Sequence, residues 1–445
     1  MRLTVIGVGY LGLTHAACMA DLGHDVLAID TDHERLARIS GGEMPFFEPR
    51  LESLLRKGLE TGRLRFTTSK EEIGEFGDVH FLCVGTPQGA DGAADLSHVT
   101  HAADALAPHL RRGCLIAGKS TVPAGTARKL LARIRAAAPA GAEVDLAWNP
   151  EFLREGNAVQ DTLRPDRFVF GITSPRAEAL LRRVYEQPLA AGIPALTMGL
   201  ETAELVKVSA NAFLATKISF INAVADACEA AGADVTQLAA ALAHDERIGG
   251  RAMSPGLGFG GGCLPKDIRA FRAAAASLGA DSMVSLLGDV DEINKSRRSR
   301  VVDMARDAVG GSLAGKRVAV LGLAFKPNSD DIRDSPSLDV CGRLAAEGAI
   351  VSAHDPVALE NASRLRPDLR YAKSVFEAAE GADLVLHLTE WTEYRSIEPS
   401  ALAEVVAQRR VIDARCVLDA RAWEAAGWTV RTMGRSANLR DAAAS

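Results

Sequence analysis

Cys263 stands in a sequence setting that suits covalent chemistry. It follows the run GLGFGGG, which holds five glycines in seven positions, and Pro265 stands where a helix could begin. Glycines let the backbone approach a ligand closely, and a helix N-terminus together with Lys266 favours a thiolate over a thiol. We therefore predict that Cys263 is a nucleophile, and we interpret the other six cysteines as small buried apolar residues. No second cysteine or histidine stands at ligand spacing, so no metal site is expected.

Lys207 and Asn211 are two further polar residues, four positions apart in a long apolar segment. In a helix they would share one face, with Glu204 one turn earlier. Isolated polar residues on helices are usually solvated. A lysine among apolar neighbours either extends its ammonium to water or lines a polar cleft.

The sequence GVGYLG, residues 7–12, has the spacing of a dinucleotide-binding turn. It follows the apolar run Leu3–Gly7 and precedes a helical pattern, and Asp30 ends the next apolar run. The glycines permit a tight turn over a pyrophosphate, while an acid at that place binds ribose hydroxyls and disfavours a 2′-phosphate. The pattern predicts NAD rather than NADP; the alternative is a structural turn with an incidental aspartate. Arg35 could contact the adenine or a phosphate, or be an ordinary surface residue.

The elements that must position these residues fall into three parts of the chain. Apolar runs alternate with helical patterns over the first 200 residues and again after Lys316, whereas the segment between them is helical. This predicts an α/β fold with two Rossmann-like doubly wound parallel-sheet domains joined by a long-helix, all-helical connector. The predicted boundaries are 1–198, 199–312 and 313–435, with a frayed tail over 436–445. The predicted strands are Leu3–Gly7, Val26–Asp30, Val79–Val84, Cys114–Gly118, Val144–Trp148, Val318–Leu321, Ile350–His354, Leu384–Leu388 and Arg410–Asp413, and the predicted connector helices are Glu201–Ala231, Asp234–His244, Asp267–Leu278 and Ser285–Val309.

Polar turns follow three of the predicted strands. They are GTP at residues 85–87, STVP at 120–123 and NPEF at 149–152. Ligands of open α/β sheets bind outside the carboxyl ends of the strands. Together the three turns predict a binding site at that edge, although any one of them alone would be an ordinary turn.

The composition fits a globular chain of two or three domains. Its 445 residues are 47% hydrophobic and 24% charged, and a formal net charge of -6 without a long basic run argues against a nucleic-acid partner. The N-terminal apolar stretch is broken by glycines, and no run of about 18 apolar residues occurs, so neither a signal peptide nor a membrane span is expected. Seven scattered cysteines without a C-x-x-C pair are typical of reduced thiols, which predicts a cytoplasmic location.

Six ordered motifs resemble the UDP-glucose/GDP-mannose dehydrogenase family over nearly the whole chain. They are GVGYLGL, STVPAGT, NPEFLREG, the helical segment with Lys207 and Asn211, GFGGGCLPKD, and AFKPNSDDIRDSP near residue 330. The resemblance implies an N-terminal NAD-binding domain, a helical dimerisation segment, a C-terminal nucleotide-sugar domain and a homodimer or larger homo-oligomer. It also implies two successive NAD-dependent oxidations at one sugar carbon.

Within this family, the run Arg164–Arg167 and the form GLGFGGGCLPKD resemble members that act on UDP-glucose. Two positions depart from the family pattern. Ala252-Met253 stands where many relatives carry a bulkier residue, and Ala414 stands where a glycine usually precedes the substrate-facing arginine, here Arg415. The resemblance implies oxidation of UDP-glucose to UDP-glucuronate, with UDP-N-acetylmannosamine or GDP-mannose as alternative substrates.

The resemblance also implies the roles of the reacting groups. Cys263 would add to the aldehyde of the first oxidation as a thiohemiacetal, and the second oxidation would leave a thioester that water hydrolyses. Lys207, or a water held by Asp267, would take the hydroxyl proton. Lys207 and Asn211 would stabilise the oxyanions, and Glu151 or Asp267 would activate the hydrolytic water.

The full set of predicted site residues follows from the motifs and the resemblance. The predicted catalytic residues are Cys263, Lys207, Asn211, Asp267, Glu151 and Thr121. The predicted NAD-binding residues are Gly7, Val8, Gly9, Tyr10, Leu11, Gly12, Asp30, Arg35, Thr86, Thr121, Glu155, Lys266 and Arg333. The predicted substrate-binding residues are Glu151, Phe152, Leu153, Arg154, Glu155, Lys207, Asn211, Arg247, Ala252, Met253, Ser254, Pro255, Gly256, Phe259, Gly260, Lys326 and Arg415. Arg247 is expected to reach the substrate of a second copy of the chain.

Two other classes of protein share part of this pattern. A two-electron dehydrogenase of the 3-hydroxyacid type has the same glycine motif and a long helix with a lysine, but it has no use for Cys263 or for a third domain. A non-catalytic NAD-sensing or scaffold protein need not keep Cys263, Lys207, Asn211 and Asp267 together. Both are weaker hypotheses than the sugar-nucleotide dehydrogenase.

Overall fold

The computed structural model describes residues 1–436, so the predicted tail lies outside the described residues except for Ser436. The chain divides into two compact units, Met1–Ala210 and Asn211–Ser445, and the division falls inside one long helix. Each unit contains one sheet. The division of the chain into three domains stays a prediction.

The first unit contains an eight-stranded sheet. Its strands are β1 Arg2–Ile6, β2 Asp25–Ile29, β3 Leu64–Thr67, β4 Val79–Leu82, β5 Leu115–Gly118, β6 Asp145–Trp148, β7 Phe168–Ile172 and β8 Ala195–Met198. The strand order is β3-β2-β1-β4-β5-β6-β7-β8. All five predicted strands form within about one or two residues of their predicted bounds. The order reverses beside β1, which creates the crevice where open α/β sheets bind ligands.

Three strands of this sheet were not predicted, and one pairing breaks the parallel pattern. Strand β7 runs antiparallel to β6, whereas all the other neighbours are parallel. The predicted Rossmann-like parallel sheet is therefore confirmed, with the β6–β7 pairing as its one antiparallel exception. Strand β3 mixes polar and apolar residues, and β8 has no buried residue, so neither shows the apolar run of an interior strand.

Nine helices surround this sheet among the described residues. They are α1 Tyr10–Asp21, α2 His33–Ser40, α3 Leu51–Glu60, α4 Lys70–Phe76, α5 Ser97–Leu106, α6 Thr126–Ala137, α7 Ala158–Leu163, α8 Pro175–Val184 and α9 Glu186–Ala190, with 3₁₀ turns at Ala107–His109 and Gly141–Glu143. Three of them begin at side-chain caps, because Asp32, Ser69 and Ser174 accept the backbone N–H three residues later.

Helix α10, Leu200–Ala231, is 32 residues long and spans the division between the units. It contains no proline or glycine, as its predicted continuity required. By length and composition alone it could cross a membrane, and 44% of its most apolar window is buried inside the protein. Helices that fill protein cores meet the same criterion, so this property alone does not assign α10 to a membrane.

The second unit begins with helices and continues into a parallel sheet. Its helices after α10 are α11 Val235–Ala243, α12 Leu264–Ser277, α13 Asp281–Ala308, α14 Pro336–Ala346, α15 Leu359–Leu365, α16 Val375–Ala379, α17 Thr392–Arg395, α18 Pro399–Leu402 and α19 Ala420–Ala425. Its strands are β9 Arg317–Leu321, β10 Ile350–His354, β11 Arg370–Tyr371, β12 Leu384–His387, β13 Arg410–Asp413 and β14 Thr429–Thr432, in the order β11-β10-β9-β12-β13-β14. The two edge strands, β11 and β14, were not predicted. The four inner strands were predicted, because most of their residues are buried and each contains at least two adjacent apolar residues.

Candidate active site

The glycine motif after β1 forms a tight turn in the first unit. Gly7 has φ 92°, and a Cβ added at Gly12 would overlap the Gly7 carbonyl, so both positions require glycine. The Val8 N–H donates to Asp30 Oδ2 at 2.7 Å, and the Asp32 N–H donates to Asp30 Oδ1 at 3.0 Å. Asp30 thus holds the turn after β1 against the end of β2.

A cleft of about 780 Å³ opens beside this turn. Asp30 and Arg35 both line it, and an Arg35 Nη1 to Asp30 Oδ2 separation of 3.6 Å brings their charges together. Other lining groups include His33, His98 and His101. The turn, the start of α1 and the acid at the end of β2 fit the pyrophosphate and ribose of a dinucleotide, so the residues present fit NAD.

The remaining residues of the glycine motif do not line the cleft through their side chains. Val8 is fully buried, and Tyr10 donates its hydroxyl to Glu48, which also accepts the N–H groups of Gly156 and Ala158 at 2.7 Å. Burial and the Glu48 carboxylate raise the pKa of Tyr10. Leu11 lines a different, smaller cavity. Only Gly7 and Gly9 of the motif border the cleft.

The polar turns at the ends of β4 and β5 are joined by hydrogen bonds. Thr86 Oγ1 donates to the Thr121 carbonyl at 2.8 Å, and Ser120 Oγ donates to the Val84 carbonyl at 2.6 Å. The Thr86 hydroxyl is therefore engaged with protein, and the side chain of Thr121 is half-buried. The predicted meeting of these turns at one sheet edge holds for this pair.

Glu151 and Lys207 form a nearly buried ion pair in the first unit. Lys207 Nζ lies 2.9 Å from Glu151 Oε1, and Glu151 Oε2 accepts the Leu153 N–H at 2.8 Å. The Lys207 ammonium also lies 5.7 Å from the centre of the Phe152 ring. The turn after β6 and the first half of α10 therefore place a carboxylate and an ammonium together, away from water.

Other residues of this region make hydrogen bonds and ion pairs that stabilise the fold. Glu204, on α10, accepts the N–H groups of Gly125 and Ala127 at 2.6 Å and so caps α6. Burial raises the pKa of Glu204. Arg154 is exposed and binds Asp161 bidentately, at 2.9 and 2.7 Å. The half-buried Glu155 is close enough to Tyr10 for its charge to raise the pKa of that hydroxyl.

The start of α12 collects the predicted reacting groups of the second unit. Cys263 is exposed at the N-cap position of α12, which begins at Leu264, three residues before the predicted start. Asn211 Nδ2 donates to Asp267 Oδ2 at 2.7 Å, and Lys266 Nζ donates to Asp267 Oδ1 at 2.5 Å. The buried Asp267 thus orients an amide and an ammonium within one turn of the Cys263 backbone.

The glycines before Cys263 pack closely against other segments of the chain. Added Cβ atoms at Gly258, Gly260 and Gly262 would overlap Asn294, the Asp334 carbonyl and the Arg333 guanidinium respectively. The expectation that these glycines admit a ligand therefore lacks support here, because the neighbours are other segments of the chain. The loop is mostly buried, although the thiol it leads to is exposed.

Arg415 and its surroundings tie this loop to the second sheet. Arg415 Nε donates to the Leu388 carbonyl at 2.6 Å, and Nη1 donates to the Gly258 carbonyl at 3.0 Å. The guanidinium also lies 3.3 Å from Glu390. The Gly256 N–H donates to Asn222 Oδ1 at 2.8 Å.

The other predicted residues of the second unit have varied environments. Ala252 has φ 60°, Met253, Pro255, Phe259 and Gly260 are buried, and Ser254 is exposed. Lys326 Nζ lies 5.2 Å from the centre of the Phe325 ring, and Arg333 binds Asp331 at 2.7 Å. The side chain of Arg247 is 88% exposed and pairs with Asp245 two residues away. Within one copy, Arg154 and Arg247 are thus held by local carboxylates.

Sequence reasoning missed Lys119, which follows β5 and is buried. Its Nζ donates to Asn149 Oδ1 at 3.1 Å. The available signal was its position, directly before the polar turn that begins at Ser120. No group of three or more His, Cys, Asp or Glu side chains in residues 1–436 is arranged to hold a metal ion.

Comparisons with known proteins cover nearly the whole chain. Models of the UDP-glucose/GDP-mannose dehydrogenase family match residues 1–189 (NAD binding domain), 201–296 (central domain) and 319–420 (UDP binding domain). The chain is 43% identical to the UDP-glucose 6-dehydrogenase of Pseudomonas aeruginosa, over 89% of each chain. A solved UDP-glucose dehydrogenase from Pyrobaculum islandicum is 38% identical with a TM-score of 0.89, covering 95% of this chain and 96% of that one. A UDP-D-ManNAc dehydrogenase from Pyrococcus horikoshii is 26% identical with a TM-score of 0.86, covering 98% and 99%.

Proposed function

The chain belongs to the UDP-glucose/GDP-mannose dehydrogenase family and is an NAD-dependent oxidoreductase, and from that premise we propose that it oxidises UDP-glucose to UDP-glucuronate. The reaction removes four electrons from one carbon and uses two NAD. The observation that carries this proposal is Cys263, an exposed thiol at the N-terminus of α12, one turn from the Asn211–Asp267–Lys266 cluster. A dehydrogenase that stopped at the aldehyde would not need it.

The cofactor cleft beside the glycine turn supports the redox half of the proposal. NAD, when bound there, supplies the hydride acceptor for both oxidations. Asp30 binds the ribose hydroxyls, and the N–H groups at the start of α1 bind the pyrophosphate. Because Asp30 already accepts the Val8 N–H, its carboxylate is fixed in place before any ligand arrives.

The first oxidation needs a base for the 6-hydroxyl proton. Lys207, paired with Glu151, is one candidate, and a water held by Asp267 is the other. Each carboxylate is paired with a cation, Glu151 with Lys207 at 2.9 Å and Asp267 with Lys266 at 2.5 Å. The oxygen that develops negative charge is stabilised by the Lys207 ammonium and the Asn211 amide, which lie on one face of α10.

The second oxidation proceeds through Cys263. Its thiolate Sγ forms a bond to the aldehyde carbon, and the resulting thiohemiacetal carries the carbon, its hydrogen and an oxyanion. Loss of that hydrogen as hydride restores the C=O bond and leaves a thioester. Water then attacks the thioester carbon, Glu151 or Asp267 takes a proton from that water, and the C–S bond breaks to release the carboxylate and the thiolate.

Among the sugar nucleotides, we favour UDP-glucose as the substrate. The relative named for UDP-glucose is 43% identical to this chain, whereas the one named for UDP-D-ManNAc is 26% identical. The same chemistry on UDP-N-acetylmannosamine or GDP-mannose is the second candidate.

Seven free cysteines in the described residues, five of them buried, support a reducing, cytoplasmic setting.

A second copy of the chain is the proposed partner of α10. Phe213, Leu214 and Phe220 on this helix are 66%, 40% and 53% exposed. Large apolar side chains repeated along one helix favour burial against another protein surface. We assign that surface to a homodimer, in which the exposed Arg247 could reach the substrate of the other copy.

The test of the proposed function is the amount of NADH formed per UDP-glucose consumed, at end point with excess NAD. Two NADH per substrate support the four-electron reaction, and one NADH would remove the covalent role of Cys263. Cys263→Ser should block the second oxidation, while Cys228→Ala, a buried cysteine of α10, should retain a ratio of two. No NADH with UDP-glucose, but NADH with another sugar nucleotide, would favour the second candidate.

A further inference from the structure

Lys119 is a buried cation that the proposed mechanism does not use. It follows β5 and is 6% exposed. Its Nζ donates to the Asn149 carbonyl at 3.3 Å, to Asn149 Oδ1 at 3.1 Å and to the Tyr185 hydroxyl at 3.4 Å. All three partners are neutral oxygens. Burying an ammonium without a carboxylate in contact is costly, so a structural role alone would be met more easily by an apolar residue.

The residue that Lys119 binds is the first residue of the turn that carries Glu151. The Asn149 N–H donates to the Gly118 carbonyl at 2.8 Å, and Asn149 Nδ2 donates to the Val169 carbonyl at 3.0 Å. The Tyr185 hydroxyl donates to Asn149 Oδ1 at 2.7 Å. Asn149 is thus fixed on three sides, and Lys119 holds its carbonyl, from which the chain turns through Pro150 to Glu151.

The charges around Lys119 belong to the same region. Burial, the largest cause, lowers the pKa of Lys119 to about 8; the charges of Cys83 and Glu151 raise it, and that of Lys207 lowers it. The buried His15 also faces this group; burial lowers the pKa of its ring most, and the Lys119 charge lowers it further. Lys119 and Glu151 line one small cavity of about 30 Å³. The ammonium therefore interacts with both members of the Glu151–Lys207 pair.

We propose that Lys119 is a positioning residue, which holds the turn from Asn149 to Glu151 while its ammonium is charged and releases it when the amine is neutral. The proposal rests on the proposed function, in which Glu151 and Lys207 act on the substrate. A neutral amine has two N–H donors for three acceptors, and it no longer attracts the Glu151 carboxylate. Turnover should therefore fall as the pH rises through the ionisation of Lys119.

The experiment compares the pH dependence of kcat in the wild type, Lys119→Met and Tyr185→Phe. The wild type should lose activity through an ionisation near pH 8, the value to which burial lowers the pKa of Lys119. Lys119→Met should lack this ionisation and turn over about tenfold more slowly at pH 7, because the turn is misplaced. Its KM for NAD should not change. An ionisation near pH 8 that persists in Lys119→Met would overturn the proposal.

Tyr185→Phe keeps the experiment decisive if Lys119→Met does not fold. The Tyr185 ring packs on Phe168 with ring centres 4.3 Å apart, and phenylalanine preserves that contact. The hydroxyl that accepts a hydrogen bond from the ammonium is lost, so the ionisation should move to lower pH. An unchanged midpoint in Tyr185→Phe would contradict the proposal.

A readout without turnover separates this proposal from the proposed function. Amide hydrogen exchange over residues 149–153 at pH 7 should be faster in Lys119→Met or Tyr185→Phe than in the wild type, while exchange in β1 is unchanged. If the wild type oxidises no UDP-glucose, the proposed function fails and exchange alone tests the positioning role. Equal exchange in the wild type and the variants would overturn the positioning role whatever the enzyme's substrate.

Discussion

Asp30 holds backbone N–H groups beside the cofactor cleft, and its position there supports a second, proposed role in binding the ribose. Its carboxylate accepts the N–H groups of Val8 and Asp32, and it also borders the space that fits a ribose. Two charge-assisted hydrogen bonds fix the carboxylate, so little freedom is lost when a ligand binds.

Asp30→Ala should raise the KM for NAD by about tenfold, since a ribose hydrogen-bond acceptor and a charge-assisted contact are lost. Asp32→Ala is the matched control. Asp32 caps α2 through the Arg35 N–H at 2.9 Å, so its loss should lower the melting temperature with a smaller effect on the KM for NAD. Steady-state kinetics and thermal denaturation of both variants check this. Equal KM values for the two variants would contradict the assignment of Asp30.

For Cys263, also a single residue, the proposed reactivity depends on its surroundings. It stands at the N-cap of α12, where unpaired backbone N–H groups favour negative charge. The five fully buried cysteines lack this position, and burial raises the pKa of the Cys83 thiol to about 12.

An alkylating reagent at neutral pH should therefore modify Cys263 far faster than any other described cysteine. UDP-glucose should slow that reaction by covering the thiol. Mass spectrometry of the modified peptides, with and without substrate, gives the rates. Faster labelling of Cys416, which is half-buried, would rule out an activated Cys263.

At the scale of elements, the loop before α12 depends on backbone contacts that leave no space for side chains. A Cβ at Gly260 would lie 2.4 Å from the Asp334 carbonyl oxygen, and one at Gly261 would lie 2.7 Å from the Phe325 ring. These contacts join the helical part of the second unit to the segment after β9. The loop can therefore position Cys263 only if both elements are folded.

Gly260→Ala should destabilise the protein by about 1–3 kcal/mol and reduce turnover, because a backbone carbonyl cannot move aside without shifting its segment. Gly199→Ala is the control, since a Cβ there would meet nothing within 4 Å. Denaturant unfolding and kcat of both variants give the comparison. If Gly260→Ala were as stable as the control, the loop would have to be looser than its packing indicates.

Helix α10 exposes apolar residues along one part of its length, which is the basis of the proposed homodimer. Phe213→Glu with Phe220→Glu should dissociate the protein, because each new carboxylate would have to be buried at the interface. Leu365→Glu on α15 is the control, as this residue is 61% exposed and lies outside α10. Sedimentation velocity gives the mass. An unchanged mass in the double variant would remove α10 as the interface.

For the whole molecule, acid stability depends on buried carboxylates such as Asp413 at the end of β13. Burial opposes its charge, but the His387 ring at 2.9 Å and backbone N–H groups outweigh burial and hold the pKa of Asp413 below its usual value. A carboxyl group whose pKa is lower in the folded state stabilises the fold above its unfolded pKa of about 3.9. That stabilisation is lost as the pH falls through the lower, folded value.

Asp413→Asn should therefore lower the melting temperature at pH 7, and the difference from the wild type should shrink as the pH falls below about 3.9. Melting curves at pH 7, 5 and 3 measure it. Asp368→Asn is the control, because that exposed carboxylate pairs with Arg366 at the surface and contributes little. A constant difference between Asp413→Asn and the wild type at all pH values would exclude the ionisation as the cause.

The cofactor turn, most of the interior strands and the long helices were predictable because their signals are local, although the buried apolar strand β7 was missed. The spacing of Gly7, Gly12 and Asp30 reflects the geometry of one strand, one turn and one helix, and buried strands show as apolar runs. Edge strands such as β3 and β11 were missed, since an exposed edge needs no apolar run. The residues of the candidate site could be named from motifs, but their partners could not.

Sequence alone determined the class of the fold, the kind of cofactor and the position of the proposed nucleophile in the chain, since each depends on residues within a few turns of one another. Tertiary structure alone decided that Asn211 meets Asp267, 56 residues away, and that Glu151 meets Lys207. It also decided that the glycines before Cys263 face other segments of the chain, and that Lys119 is buried beneath Asn149. Such contacts arise when helices and loops pack on a sheet, and packing joins residues whose separation in sequence carries no periodic signal.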